Sequence, residues 1–446
     1  MEKVAPHQHK QQANPTHATS NNTTFPQLSA ATEHTTHHYS TIIRNKQPKQ
    51  VYNPPLAEKS TSTSTNQEIP ASIPVKSDIG KCGLMWPRGI ATKHPAAKLL
   101  DYYSTQGCPV NIGDNWTYEH IITAIKRGPH ISAKKPQAAA HLQMETLQKI
   151  RDGYAKIVKW KEIKNNIPPN LKISPVAMIP HKSRMYRTII DLSFQLRVKG
   201  KVLPSVNSAT ESLAPQKAMT QLGMALRRII NNLATHHNTN KPFLFSKVDL
   251  KDGFWRMVVS DKDAWNFCYV LPSTGKNKTN LDETEIVVPH ALQMGWAESP
   301  PFFCAATETA RDVCEQLALT TNNLPTHPLQ TQLMPSRNTL ASLQQQNPRH
   351  KSSTPVDSTQ DCTQLEVYVD DFVAMTNNVQ EEHLLHWSKA ILHGIHSIFP
   401  PPTVSLHTGG DPISEKKLAQ KEGLWHHEKR NLRMDIQWKR LHFKTT

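Results

Sequence analysis

Residues 365–375, LEVYVDDFVAM, alternate apolar and polar side chains on either side of two adjacent aspartates. Alternation with a period of two marks a strand with one buried face, so LEVYV and FVAMT read as the arms of a β-hairpin with Asp370 and Asp371 at its tip. An isolated hairpin is marginal in water, so further strands or helices have to pack against this one. The tip itself admits two readings. Aspartates are ordinary turn residues held by local hydrogen bonds, or the paired charge serves chemistry.

The same patterns place other elements. Residues 136–164 carry Leu142, Leu147, Ile150, Tyr154, Ile157 and Val158 at roughly helical spacing, which predicts one amphipathic helix. SPVAMIPHKSRMYRTIIDLS predicts two short strands around a polar HKSR turn, with Tyr186, Thr188 and Ile190 on one face and Arg187, Ile189 and Asp191 on the other. Leu222, Leu226, Ile229, Ile230 and Leu233 repeat at three and four and give a second helix. PFLFSKVDL, DAWNFCYVL and EIVVPHAL are strand candidates from their β-branched and aromatic content. PPFFCAATETARDVCEQLAL opens on proline, suited to a first helical turn, and Leu384, Leu385, Ile391, Leu392, Ile395 and Ile398 mark the next helix. From Pro242 onward the order is strand, strand, strand, helix, hairpin, helix: an α+β layer with helices on one sheet face.

With 446 residues, 37% of them hydrophobic, the chain can build one or two domains with real cores, yet its mean hydropathy of −0.56 leaves much of it outside any core. Two polar stretches explain this. Residues 1–78, rich in Thr, Ser, Asn, Gln, Pro and His, read as a disordered tail, whose His34, His37 and His38 either bind a metal or are merely part of a polar sequence. Residues 320–364, too long for an ordinary loop and too polar for a core element, predict a disordered insertion inside a domain. The segment 79–170 reads as a mostly helical extension.

Lys and Arg total 52 against 36 for Asp and Glu, and the resulting +16 favours polyanions such as nucleic acid, or serves general solubility. The six cysteines form no C-x-x-C pair, so neither a zinc knuckle nor a disulfide framework is indicated, and a reducing compartment is expected. No apolar run approaches the ~18 residues that span a bilayer, and no basic segment leads into an apolar one at the start. A soluble intracellular protein with no membrane partner is expected, in cytoplasm or nucleus.

KVDLKDGFW supplies a second pair of acids, Asp249 and Asp252, just after an apolar strand. Asp249 stands at the strand's end, where a side chain projects beyond the sheet. Hard cations take oxygen ligands, and two-metal phosphoryl-transfer sites hold ions about 3.5–4 Å apart between carboxylates. Acids from two strand ends can build such a cage.

Taken in order, IPHKSRMYRTIIDLS, VDLKDGFW, LQMGWAESPPFF and YVDD resemble the polymerase domain of reverse transcriptases from retroelements, over roughly Ser174 to Gly410. The resemblance implies a right-hand polymerase in which residues 171–410 form fingers and palm, the palm an antiparallel sheet backed by helices. The implied activity is RNA-directed DNA synthesis, a two-metal transfer of dNTPs to a primer 3′-hydroxyl, with two Mg2+ or Mn2+ ions and an RNA template with a DNA primer as partners. Asp249, Asp370 and Asp371 would be the catalytic, metal-binding carboxylates, with the Leu250 main-chain carbonyl completing a coordination shell.

Lys182 and Arg187 would face triphosphate oxygens, Arg187 able to bind them bidentately, unless both are exposed charges of a hairpin. Phe254, beside Gly253, would close against the sugar 2′ position and favour deoxynucleotides, or else fill the core. Met294 and Gly295 would approach the incoming nucleotide and template base; Met294 departs from the glutamine familiar in retroviral relatives, and a thioether donates no hydrogen bond.

Only the segment 411–446 follows, and NLRMDIQWKRLHFKTT shows no hairpin or helical thumb, so a truncated or missing thumb is expected. Lys416 or Lys417 is either a proton donor to pyrophosphate or a solvated lysine. A truncated, inactive remnant that retains nucleic-acid binding is the alternative to an active polymerase, and a DNA template remains open.

Overall fold

The computed structural model describes residues 85–181, 185–236, 243–273, 280–345, 361–402, 409–431 and 434–437. The tail expected over 1–78, its histidines and Lys182 lie outside the described residues. Among the described residues three α-helices come first: α1 (Ala97–Gln106), α2 (Tyr118–Arg127) and α3 (Pro136–Arg151). A capping box starts α2, with Thr117 Oγ1 accepting from the His120 amide and the His120 ring accepting from the Thr117 amide. Helix α3 opens on Pro136 and stops before Gly153, whose φ is +76°. The helix expected over 136–164 is therefore shorter. Ile157 and Val158 lie instead on strand β1 (Ala155–Lys159), followed by one helical turn at Trp160–Ile163.

Strands β2 (Val176–Pro180) and β3 (Tyr186–Ile190) form the expected antiparallel pair, with Val176 opposite Ile190. The two-residue strands β4 (Arg197–Val198) and β5 (Lys201–Val202) flank Lys199 and Gly200, both at positive φ as a tight hairpin turn of this hand requires. Next come a helical turn at Val206–Ala209, helix α4 (Lys217–Thr235) and strand β6 (Leu244–Asp249). The strand expected over DAWNFCYVL narrows to β7 (Tyr269–Val270), because Ser260 caps a helical turn at Asp261–Ala264 by accepting from the Asp263 amide.

The chain continues through β8 (Glu285–Pro289), α5 (Ser299–Thr320), α6 (Arg337–Gln345), the hairpin β9 (Thr363–Tyr368) and β10 (Asp371–Thr376), and α7 (Glu381–Ile398). A short helix α8 (Glu415–Ala419) and strands β11 (Glu428–Asn431) and β12 (Met434–Gln437) are the last elements among the described residues. The protein is thus a mixed structure of helices and antiparallel sheets. Among the described residues no helix is long and apolar enough to cross a membrane.

Two three-stranded sheets form, in the orders β1-β8-β7 and β6-β10-β9. In the second, Leu244, Val248, Leu365, Val367, Phe372 and Ala374 point one way and join the main core with α5 and α7. The opposite face is covered too: Phe245, Val373 and Met375 pack on Ile229 and Leu233 of α4. This corrects the expectation of helices on one face only. Apolar residues at the far end of that second face need a cover, and the polar end, with Asp249, Asp371 and the exposed Tyr368, is left beyond it.

The stretch 320–364, expected as a disordered insertion, is folded where it is described. Helix α5 runs to Thr320, α6 follows, and Leu324, Leu329, Leu333 and Leu340 are buried in the main core. Polar contacts pin it as well, from Lys389 to the Leu324 carbonyl at 3.2 Å and from the Trp425 amide to the Leu333 carbonyl at 2.9 Å. Widely spaced leucines suffice to dock a segment whose mean composition is polar; residues 346–360 lie outside the described residues. A second correction concerns the C-terminal segment. β11 and β12 do pair as an antiparallel hairpin, and His426 just before them exchanges backbone hydrogen bonds with Phe245, so the chain extends the β6 edge.

Candidate active site

Asp249 is the last residue of β6 and Asp371 the first of β10, and the register sets them directly opposite each other. Opposed residues of an antiparallel pair share a face, so both carboxylates emerge on the same side of the sheet. Asp370 belongs to the two-residue turn joining β9 to β10. That turn is strained: Val369 adopts a φ of +58°, a region in which a β-branched residue is an outlier and which costs about 1–3 kcal/mol. The Leu250 amide donates to the Asp370 carbonyl at 2.9 Å and ties the turn to the chain leaving Asp249. Three acids therefore converge at one end of the sheet, as their place in the sequence implied.

Their electrostatics are those of crowded, partly dried carboxylates. Asp249 is only 7% exposed. Burial first, then a hydrogen bond with Asp371, pushes its carboxyl up to about 7 despite the opposing Lys417 ammonium. Asp370 is also raised, by burial first and then by the charge of Asp371. Two lysines balance the cluster. Lys417 of α8 donates to Asp249 Oδ1, and Lys247 of β6 lies 3.1 Å from Asp371 and 3.3 Å from Glu422. Burial disfavours the Lys247 ammonium, but Asp371 and Glu422 outweigh that and hold its pKa above the ordinary value. Lys417, for which a solvated reading stood open, is bound to a buried acid.

Among the described residues no group of three or more His, Cys, Asp or Glu side chains is already arranged to hold a metal ion. The donor set is nonetheless all carboxylate oxygen, the kind hard divalent cations take, and it already needs positive charge, which here the lysines provide. The remaining acid of VDLKDGFW stands apart. Asp252 sits in the left-handed region at φ +58° and pairs with Lys149 at 2.7 Å; burial works against its ionisation, but Lys149 outweighs it and holds the carboxyl below the ordinary range.

The Gly253–Arg256 turn lies against the acids. A Cβ on Gly253 would stand 2.9 Å from Phe303 Cζ and 3.6 Å from Asp370 Cβ, so glycine is what lets this turn sit against the Phe303 ring, beside Asp370. Phe254 is half-buried with its ring edge-to-face on Phe303 at 5.1 Å. Leu250 is buried and bridges to Ile413. A second group forms on β3 and the loop before α5, where the Arg187 guanidinium reaches the Met294 sulfur at 2.8 Å. Met294 is 46% exposed, and Gly295 beside it adopts a φ of +99°. Sequence reading had missed Lys247, which carries a signal, since it stands two residues before Asp249 on a strand and so shares its face.

No protein-family model matches the sequence, and no curated protein matches it. Among solved structures the chain is similar to a foamy viral protease-reverse transcriptase in complex with double-stranded DNA, at 16% identity and a TM-score of 0.37, over 86% of this chain and 49% of that one. It is similar also to the foamy viral protease-reverse transcriptase in complex with an RNA/DNA hybrid, again at 16% identity and a TM-score of 0.37, over 84% of this chain and 37% of that one. The chain spans about half the length of the first and less of the second.

Proposed function

We propose that this chain is an RNA-directed DNA polymerase of a retroelement, transferring dNTPs to a primer 3′-hydroxyl. The observation that carries the reading is the register that sets Asp249 opposite Asp371 with Asp370 in the strained turn beside them. The β6-β10-β9 sheet is then the palm and the β2-β3 hairpin part of the fingers. Two Mg2+ or Mn2+ ions held by Asp249, Asp370 and Asp371 would activate the primer hydroxyl and neutralise charge on the triphosphate and departing pyrophosphate.

The chain's own residues do the rest. Lys417, whose Nζ donates to Asp249 Oδ1, would be placed to give a proton to pyrophosphate beside the acids. Arg187 and Lys182 bind triphosphate oxygens. The Phe254 ring, braced by Phe303, fills the space a ribose 2′-hydroxyl would need and offers it no hydrogen bond. Met294 packs against the nucleotide without hydrogen bonding to it, and the Leu250 main-chain carbonyl would serve as a further oxygen ligand.

One observation favours a second reading, an inactive remnant that binds nucleic acid: Lys417 and Lys247 pair with two of the three acids. Primer extension on RNA and on DNA templates separates the readings. Extension on RNA supports the polymerase, extension on DNA alone moves it to a DNA-templated enzyme, and salt-sensitive binding without extension in Mg2+ or Mn2+ establishes the remnant.

A further inference from the structure

The loop 293–297, which presents Met294 and Gly295, belongs to no strand or helix, yet its backbone is held in a demanding shape. Gly295 has a φ of +99°, and a Cβ there would meet the Ile190 carbonyl at 3.4 Å. Much of the restraint comes from one side chain. Asn207 Nδ2 donates to the Gly295 carbonyl at 2.8 Å and to Ser193 Oγ at 2.9 Å, while Asn207 Oδ1 accepts from the Ala297 amide at 3.0 Å. A carbonyl on one side and an amide on the other fix which way the Asn207 amide points.

Asn207 is itself anchored. It lies in the helical turn Val206–Ala209, capped by Ser205 Oγ, and its backbone amide donates to the Leu192 carbonyl at 2.9 Å. The residue after that turn, Thr210, accepts from the indole of buried Trp296 at 3.0 Å. The loop is thus fastened at Gly295, Trp296 and Ala297 to a single short turn. That turn is linked through Leu192 and Ser193 to the chain leaving β3, the strand whose Arg187 touches Met294.

We infer that Asn207 is a positioning residue for nucleotide binding: its amide holds the Met294–Gly295 backbone at the distance and angle the incoming nucleotide and template base require. The inference rests on the polymerase reading and goes beyond it, since Asn207 touches neither the acids nor the phosphate-binding side chains proposed above. Removing the amide frees the Gly295 carbonyl and the Ala297 amide together. Replacing it by a carboxylate keeps an acceptor for Ala297 but sets an oxygen against the Gly295 carbonyl.

The test compares Asn207→Ala and Asn207→Asp with the parent in steady-state primer extension, and measures hydrogen exchange of peptides spanning 293–298 in all three full-length proteins. Both variants are expected to raise KM for dTTP about tenfold with kcat within about threefold of the parent. Exchange should speed up most in Asn207→Ala. A purely structural role would lower the fraction of active enzyme, hence kcat, and leave KM unmoved; that result in an active parent overturns the inference. A parent without extension overturns the polymerase reading instead. The nucleotide-binding role falls with it, and exchange over 293–298 in Asn207→Ala then reads the loop restraint alone: faster exchange supports that restraint, unchanged exchange overturns it.

Discussion

Asp370 and Asp252 are both aspartates next to the same turn, and their surroundings assign them opposite work. Asp370 is raised by burial and by Asp371, an arrangement that destabilises the charge it carries, whereas Asp252 is held down by Lys149. Asp370→Asn should therefore abolish extension, by at least about a hundredfold, while leaving the melting temperature equal to the parent's or above it. Asp252→Asn should do the reverse: it leaves Lys149 without its carboxylate, lowering stability by about 2 kcal/mol in urea denaturation, with activity changed far less. The gathering of Asp249, Asp370 and Asp371 was legible in the sequence because strand ends and period two depend on near neighbours. Lys417, by contrast, reaches Asp249 across 168 residues, a separation at which no local pattern speaks. Asn207 was hidden for the same reason, since its partners Gly295 and Ala297 are 88 and 90 residues away.

Helices α5 and α7 pack so closely that a Cβ on Gly394 would stand 2.8 Å from the backbone nitrogen and Cα of Cys314. Backbone cannot yield as a side chain can, so Gly394→Ala should destabilise the fold by about 3 kcal/mol, read from the urea midpoint. The leucine and isoleucine spacing marked α7 correctly, and the glycine in its midst marks the crossing. The insertion offers a matching test. Leu333 is fully buried beside Trp425 and Gly423, and Leu333→Ala should lower stability by about 3 kcal/mol, where a disordered segment would show no change. Averaged hydropathy concealed this docking, because a few leucines among polar residues carry it. The over-long helix over 136–164 has a different cause: Gly153 ends α3, and the pairing of β1 with β8, remote in sequence, claims Ile157 and Val158.

Across the whole molecule a buried relay joins the insertion to the site. The Leu329 amide donates to His327 Nδ1 at 3.1 Å, so His327 Nε2 carries the proton and donates to His396 Nδ1 at 3.0 Å, and His396 Nε2 donates to Asp411 at 3.0 Å. Two residues on, Ile413 bridges to Leu250, the residue after Asp249. Burial first, then the neighbouring His396 and His393, depresses His327 from its ordinary 6.5 to about 3. Because the unfolded chain takes up this proton and the folded one resists it, the stabilisation is complete above pH 6.5. It is lost as pH falls toward about 3, by at most about 1.4 kcal/mol per unit. Urea midpoints measured between pH 7 and pH 4 should fall more steeply for the parent than for His327→Gln. Strand order and the covering of both sheet faces belong to this scale and were the least legible, since they depend on which distant segments meet. In the proposed function the acids gathered where β6 meets β10 catalyse templated DNA synthesis. The most direct test is incorporation of dTTP on poly(rA)/oligo(dT) with Mg2+ or Mn2+ by the full chain beside Asp370→Asn. Primer elongation is expected from the parent and none from the variant; equal incorporation by both, or none by either, overturns the polymerase reading.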